Sequence, residues 1–335
     1  MTANITITSR VPRSLASACA IATLMIASIV APASAQPYPN KTIKLVVPFG
    51  PGGPTDVAAR LVAQLVQSAL GQSVVIENRP GAGGALGTKA VAAADPDGYT
   101  LLIGTSATLG VVPALTKNPG YDPIKSFAPV AKVADSTLVL VVPANFPANT
   151  VQDFVVYAKA NRGKLSYASA GVGNQTQLLA ELFKAKAGID VVHVPYKSGA
   201  EMVTAILSDQ TQMAFPDVAI LIPLIRDREL KALAVTSAQR HPELPDVPTM
   251  VESGIADFIM TFWSGVVAPA GTPSDIVTKV HAAVNDGLKT QGVRDNLAKV
   301  GSVASPGSSQ DFAAFIAAET EKWRAVARLA GISAD

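Results

Sequence analysis

Four times in this chain a β-prone run breaks into a glycine-rich loop and resumes as a helix. The loops are GPGGPTD at 50–56, PGAGGA at 80–85, GTSAT at 104–108 and AGVGNQTQ at 170–177. A strand that reaches a helix through a few glycines builds βαβ units, whose strands lie parallel with helices on both sheet faces. The flanking residues obey this pattern. Residues 43–47 and 73–77 are rich in β-branched side chains, and Val57, Leu61 and Leu65 recur at helical spacing until Gly71. Residues 99–103 form a third such strand.

The same grammar then starts again. A long extended stretch, residues 127–143, precedes a helix capped by Thr150 with Asp153 three places on. Strands are predicted at 165–169, 191–196 and 230–235, a helix at 177–187 closed by Gly188, and a further extended segment at 262–268. Thr272 and Pro273 read as cap and first residue of another helix. The last helix, 310–330, turns Phe312, Phe315, Ile316, Trp323 and Val326 to one face. Two α/β domains are therefore expected, joined by crossovers near 134–138 and 259–264. The first comprises 36–136 and 262–335, the second 137–261.

Residues 1–35 read as a leader outside the fold. Arg10 and Arg13 precede an apolar run at 15–30, and Ala33-Ser34-Ala35 fits small-residue cleavage after Ala35. The run is shorter than the roughly 20 residues of a membrane span. The expectation is a mature protein exported across the inner membrane and not inserted in it. Cys19, the single cysteine, lies in that run, so no disulfide or thiol chemistry is expected of the remainder. The chain's 27 basic residues fall to 25 without Arg10 and Arg13, against 25 acidic ones. That balance, with no basic run, excludes the electrostatic footprint of a nucleic-acid binder.

Glycine loops that open helices bring backbone N–H groups to one point, where the helix dipole favours an anion. In an open α/β sheet these loops share the carboxyl ends of the strands, where ligands bind. The first loop is neither GxxxxGK[ST] nor GxGxxG, so no nucleotide follows from it. Gly50 and Gly53 give backbone access, Pro54 suits the first helical position and Thr55 offers a hydroxyl. Asp56 either pairs with Arg60 one turn on or orients the loop and its ligand. In the fourth loop Asn174 is a candidate cap, and Gln175, Thr176 and Gln177 add neutral polar groups. Arg79 either pins the second loop or holds a carboxylate. His193, His241 and His281 are too scattered for a metal site or a triad, the last two reading as surface residues. Ser106 comes near a nucleophile elbow but lacks the final glycine of GxSxG.

Several stretches, in order, resemble the Bug-type solute receptors of tripartite tricarboxylate transporters. They are FGPGGPTD at 49–56, ENRPGAGG at 77–84, DGYTLL at 97–102, VPYK at 194–197, LAVTS at 233–237, LPDVPT at 244–249, and Trp263 with APAGTP at 268–273. The resemblance implies a two-domain Venus-flytrap fold, each domain a mostly parallel sheet flanked by helices. It further implies a periplasmic receptor, not an enzyme, with no cofactor or metal. As a monomer it would close on a small organic carboxylate, a dicarboxylate either aliphatic or aromatic, and deliver it to a membrane permease. The ligand-facing positions it marks are Phe49, Gly50, Gly53, Pro54, Thr55, Asp56 and Ala82, then Thr105, Ser106 and Ala107. From the other domain come Ala170, Gly173, Asn174, Gln175, Thr176, Gln177, Tyr196, Pro216 and Asp217. Gln177 stands where the family often has histidine, Ser198 where it has glycine, and Glu201 near a customary proline. Asp217 is open between two roles, capping the next helix or favouring an amine, hydroxyl or protonated acid in the ligand. A sensory receptor, and a secreted hydrolase using Ser106, are the competing functions.

Overall fold

The structure, a computed structural model, describes residues 38–332 together with Ala3, Asn4 and Thr6. The predicted leader, with its cleavage site, lies outside the described residues apart from those three.

Residues 41–332 carry two sheets. The first is built from β1 (Ile43–Val47), β2 (Val74–Asn78), β3 (Thr100–Thr105), β4 (Phe127–Thr137), β10 (Thr261–Pro269) and β11 (Ser302–Ala304). Their order is β11-β4-β10-β3-β1-β2. The second sheet holds β5 (Val139–Pro143), β6 (Ser166–Ser169), β7 (Val192–Pro195), β8 (Met213–Ala214) and β9 (Leu230–Val235), ordered β7-β6-β8-β5-β9. The helices are α1 (Pro54–Leu70), α2 (Ala85–Ala92), α3 (Val112–Leu115), α4 (Val151–Ala160), α5 (Gln175–Ala187), α6 (Gly199–Leu207), α7 (Val218–Arg226), α8 (Ser274–Leu288), α9 (Gln291–Ala298) and α10 (Ser309–Ala330).

The chain changes sheets at a single residue. The extended stretch from Phe127 divides at Leu138, so β4 belongs to the first sheet and β5 to the second. The return is β10, which pairs antiparallel with β4 from Thr261↔Thr137 to Pro269↔Phe127. This is where the parallel reading needs amending. β1 pairs parallel with β2 and β3, and β6 with β7 and β8. The strands that enter or leave a sheet run against their neighbours, because a chain that leaves beside one strand comes back down next to it.

Most predicted helix ends hold. Thr150 and Asp153 form a reciprocal capping box, and Gly71, Gly188 and Gly331 close α1, α5 and α10 in the left-handed region. Thr272 is not a cap. Its hydroxyl donates to the Pro269 carbonyl at 2.8 Å, and Pro273 takes the cap position before α8.

α10 ties the two cores together. Phe312 and Ile316 pack with Trp263 beside the first sheet, while Trp323, Val326 and Ala327 join Phe183 and Phe215 beside the second. Between them Glu319, 4 % exposed, accepts the indole N–H of Trp263 at 3.0 Å and of Trp323 at 3.1 Å. The two histidines read as surface residues are drawn inward. His241 is buried, its Nδ1 accepting the Glu243 N–H at 3.2 Å, and half-buried His281 donates to the Val130 carbonyl at 2.8 Å. Neighbours distant in sequence cover both, which local polarity cannot foretell.

Candidate functional site

The strands' carboxyl ends face a cavity of about 560 Å³. Its floor follows the sheet register. Thr105 on β3, Ser264 on β10 and Ala134 on β4 are level with one another, and β1 delivers the first glycine loop next to β3. From the second sheet come the loop after β6 and the turn after β8.

Of the residues marked in the sequence, Phe49, Gly50, Gly53, Pro54, Thr55, Thr105, Ser106, Ala107, Ala170, Gly173, Asn174, Gln175 and Asp217 line this one cavity. Asp56, Thr176, Gln177 and Pro216 are buried behind the wall, Tyr196 packs with the α6–α7 core, and Ala82 is exposed beside Gly83, which does line the cavity. Sequence reasoning missed Asp135, Ser136, Lys197, Phe262, Trp263 and Ser264 as wall residues. Strands β4 and β10 read only as crossovers, although a crossover strand necessarily passes the cleft.

Asp56 shapes the first loop from beneath. It is 2 % exposed, and its Oδ2 accepts the Gly52 N–H at 3.1 Å and Arg60 Nε at 2.9 Å. Asn78 Nδ2 donates to its Oδ1 at 3.1 Å and to the Phe49 carbonyl at 3.0 Å. Both readings of Asp56 thus hold for the protein side: it pairs with Arg60 and fixes the loop. The Asn78 bond, then the Gly52 N–H and Arg60, hold its carboxyl below the ordinary value of 3.8 against the opposing effect of burial. Gly52 has φ +84°, the left-handed region glycine favours. Gly53 has φ −81° and open space where a Cβ would stand. Arg79 is held by Glu77 through a direct ion pair and does not reach the wall.

The loop after β6 is fixed by neutral groups. Asn174 Oδ1 caps α5 by accepting the Thr176 N–H at 3.0 Å, and Thr176 Oγ1 accepts the Ala170 N–H at 2.9 Å. Gln177 Oε1 accepts the Gly173 N–H at 2.7 Å, while its Nε2 donates to His193 Nδ1 at 3.3 Å. His193 Nε2 then donates to Ser169 Oγ at 2.7 Å. Burial holds His193 below its usual value, which suits this neutral role. The histidine–serine pair stands behind the loop, not on the cavity. Ser106 has no histidine partner; its hydroxyl donates to Gln175 Oε1 at 2.7 Å. Gln175 Nε2 donates in turn to the Thr261 carbonyl at 3.1 Å, so one side chain links β3, α5 and β10.

At the other end Asp217 caps α7, its Oδ1 accepting the Ala219 N–H at 2.9 Å. Its Oδ2 accepts the Ser136 hydroxyl at 2.6 Å, a further bond between the two halves. Asp135 is neutralised by Lys132 at 2.7 Å and accepts the Thr261 hydroxyl at 3.2 Å. Among the described residues no cluster of His, Cys, Asp and Glu could hold a metal, and no helix is long and apolar enough to cross a membrane. The wall offers backbone N–H groups, hydroxyls, amides and Lys197 at one end and the carboxylates of Asp135 and Asp217 at the other. It is equipped to bind and orient a small polar molecule, with no base placed against a nucleophile.

A profile of the tripartite tricarboxylate transporter family receptor matches residues 58–332. Protein BugT of Bordetella pertussis is 36 % identical over 306 residues, covering 91 % of this chain and 94 % of BugT. Among solved structures, R. palustris Rpa4515 with adipate is 35 % identical with a TM-score of 0.78, covering 88 % of this chain and 99 % of that one. MatC from Rhodopseudomonas palustris with bound malate is 33 % identical with a TM-score of 0.74, covering 86 % and 99 %.

Proposed function

The chain belongs to the receptor family of the tripartite tricarboxylate transporters and is a solute-binding receptor of the Bug type; from that premise we propose that it captures a small organic carboxylate in the cleft between its two sheets. It does so in the periplasm and hands the solute unchanged to a membrane permease. The two domains are 36–136 with 262–335, and 137–261, turning about the paired strands β4 and β10.

The observation that carries this reading is the donor end of the cavity. The first turn of α1, opened by Gly53, and that of α5, capped by Asn174, face it from different sheets. Neutral donors at two helix starts favour an anion there, and Lys197 lines the same cavity. The Gln175 and Ser106 side chains bond across the cleft, so solute and protein contacts form together on closure. Ligand that touches both sheets only when they approach stabilises the closed form by its differential affinity. The relatives solved with adipate and with malate make dicarboxylates the first class to test.

The test is a thermal-shift panel of mono-, di- and aromatic carboxylates, joined to native mass spectrometry of protein purified without refolding. At least one carboxylate should raise the melting temperature and be recovered unchanged. Gly53→Val should abolish that rise; its Cβ enters open cavity without a clash, so the unliganded protein should lose only the stability of a poorer helix cap, about 1 kcal/mol. The expected loss is roughly hundredfold in affinity, about 2.7 kcal/mol. Undiminished affinity in Gly53→Val would remove the first loop from the site. Turnover abolished by Ser106→Ala would replace the receptor reading with an enzyme.

A further inference from the structure

The cavity's two ends differ in charge, and the difference follows the strand order. The donor end lies over β1 and β3, whereas Asp135 and Ser136 stand on β4. From β1 through β3 and β10 to β4 is three interstrand steps, roughly 14 Å. In the second sheet, the loop after β6 faces Ser106, and the turn after neighbouring β8 carries Asp217 to Ser136. Lys197 follows β7, on the side of β6 away from β8, so its charge belongs with the donor end.

The start of α7 also faces the cavity, as does that of α6 through Ser198 and Gly199, and α7 brings its own anion. The Asp217 carboxylate already occupies the place an incoming anion would take at that N-terminus. Among the described residues it makes no ion pair. Asp135 beside it is matched by Lys132. Behind the first turn of α7, Gly301 packs on Ala219 and its backbone bonds His241, which is not on the cavity.

We infer that the Asp217 end selects the solute's second functional group, requiring it to be a hydrogen-bond donor: a hydroxyl, an ammonium, an amide N–H or a protonated carboxyl. The inference rests on the reading of the opposite end as a carboxylate site. A free carboxylate at the Asp217 end would set two like charges together in a part-buried wall where Lys132 is already paired with Asp135. Each Asp217 oxygen accepts one protein hydrogen bond and keeps further acceptor capacity, and the residue lines the cavity. Burial also pushes the Asp217 carboxyl above its usual range, opposed by the Ser136 and Ala219 bonds. A dicarboxylate can therefore be held with one proton shared at this end, and its affinity then falls with rising pH by up to tenfold per unit.

The experiment is calorimetric titration at pH 6 and pH 8 with three matched series of four to six carbons: α,ω-dicarboxylates, ω-hydroxy acids and ω-amino acids. It uses the wild-type chain and Asp217→Asn, which keeps the cap oxygen for Ala219 and hence the fold. Wild type should prefer an ω-hydroxy or ω-amino acid to the dicarboxylate of equal length at pH 8 by tenfold or more. The dicarboxylate should recover at pH 6. Asp217→Asn should erase both the preference and the pH dependence, gaining about tenfold for the dicarboxylate. If the dicarboxylate binds more tightly at pH 8 in both proteins, the inference fails while the carboxylate site stands. If no member of any series binds wild type, both readings fall together.

Discussion

The starts of α5 and α7 are nearly the same piece of structure with different charge. Each follows one of two adjacent strands, β6 and β8, and each opens with an Asx cap on the same cavity. Asn174 accepts the N–H of Thr176 at 3.0 Å, and Asp217 that of Ala219 at 2.9 Å. As caps, asparagine and aspartate are almost interchangeable. As walls they are opposites: the neutral amide leaves the α5 dipole free for a ligand's charge, and the carboxylate consumes that of α7. The start of α1 extends the series, since Gly53 caps with no side chain at all. The two Asx caps meet the same local requirement, so the charge difference between them acts on the ligand.

The sharpest way to break this comparison is to make the α5 cap resemble the α7 cap. Asn174→Asp keeps the bond to Thr176 and should leave the melting temperature within about a degree. It places an anion at the donor end, and affinity for any carboxylate should fall roughly hundredfold, about 2.7 kcal/mol. Isothermal titration measures the loss and thermal denaturation the unchanged stability. An Asn174→Asp protein that binds its carboxylate normally would mean that the α5 start is not where the anion sits.

The next effect is on stability and separates the charged brace of the first loop from the neutral brace of the loop after β6. Asp56→Ala leaves the Gly52 N–H, Asn78 and Arg60 without their shared acceptor. The cost should be about 2 kcal/mol in denaturant unfolding. Because the folded Asp56 titrates below its unfolded value of 3.8, its contribution is complete above that value. It is lost as pH falls through the lower, folded one. The gap between wild type and Asp56→Ala should therefore be constant near neutrality and close in acid. A gap that persisted to the lowest pH would assign the brace to packing, not charge.

What the sequence disclosed, and what it did not, follows the reach of each interaction. Caps and turn glycines act within four residues, so Thr150, Asn174, Gly71 and Gly188 were readable from their neighbours alone. Thr272 misled because both Thr272 and Pro273 suit a helix start, and only the Pro269 carbonyl decides between them. The donor end of the cavity was legible because each loop announces itself by composition. Its acidic end was half legible: the family resemblance marked Asp217, but Asp135 and Ser136 meet it only once β4 has crossed the cleft. Glu319 was invisible, since its two indole partners stand on different elements, Trp263 being 56 residues away. Lys197 appeared only as part of a family motif and had no chemistry of its own until strand order placed it.

The smallest effect concerns the neutral brace. Gln177 holds the Gly173 N–H at 2.7 Å and passes a hydrogen bond to His193, which ends on Ser169. Gln177→Ala removes one acceptor from a loop whose cap at Asn174 and whose Thr176–Ala170 bond both remain. The expected cost is about 1 kcal/mol, the net worth of a single hydrogen bond, read in chemical denaturation. Half of the Asp56→Ala loss follows from the difference in construction, since the neutral brace divides its work among several side chains. Affinity should fall by only a few fold, because Gly173 keeps its left-handed φ of +72° without help from Gln177. A loss as large as that of Asp56→Ala would show that Gln177 and His193 act as one unit. The neutral loop would then hang on a single contact, as the charged one does.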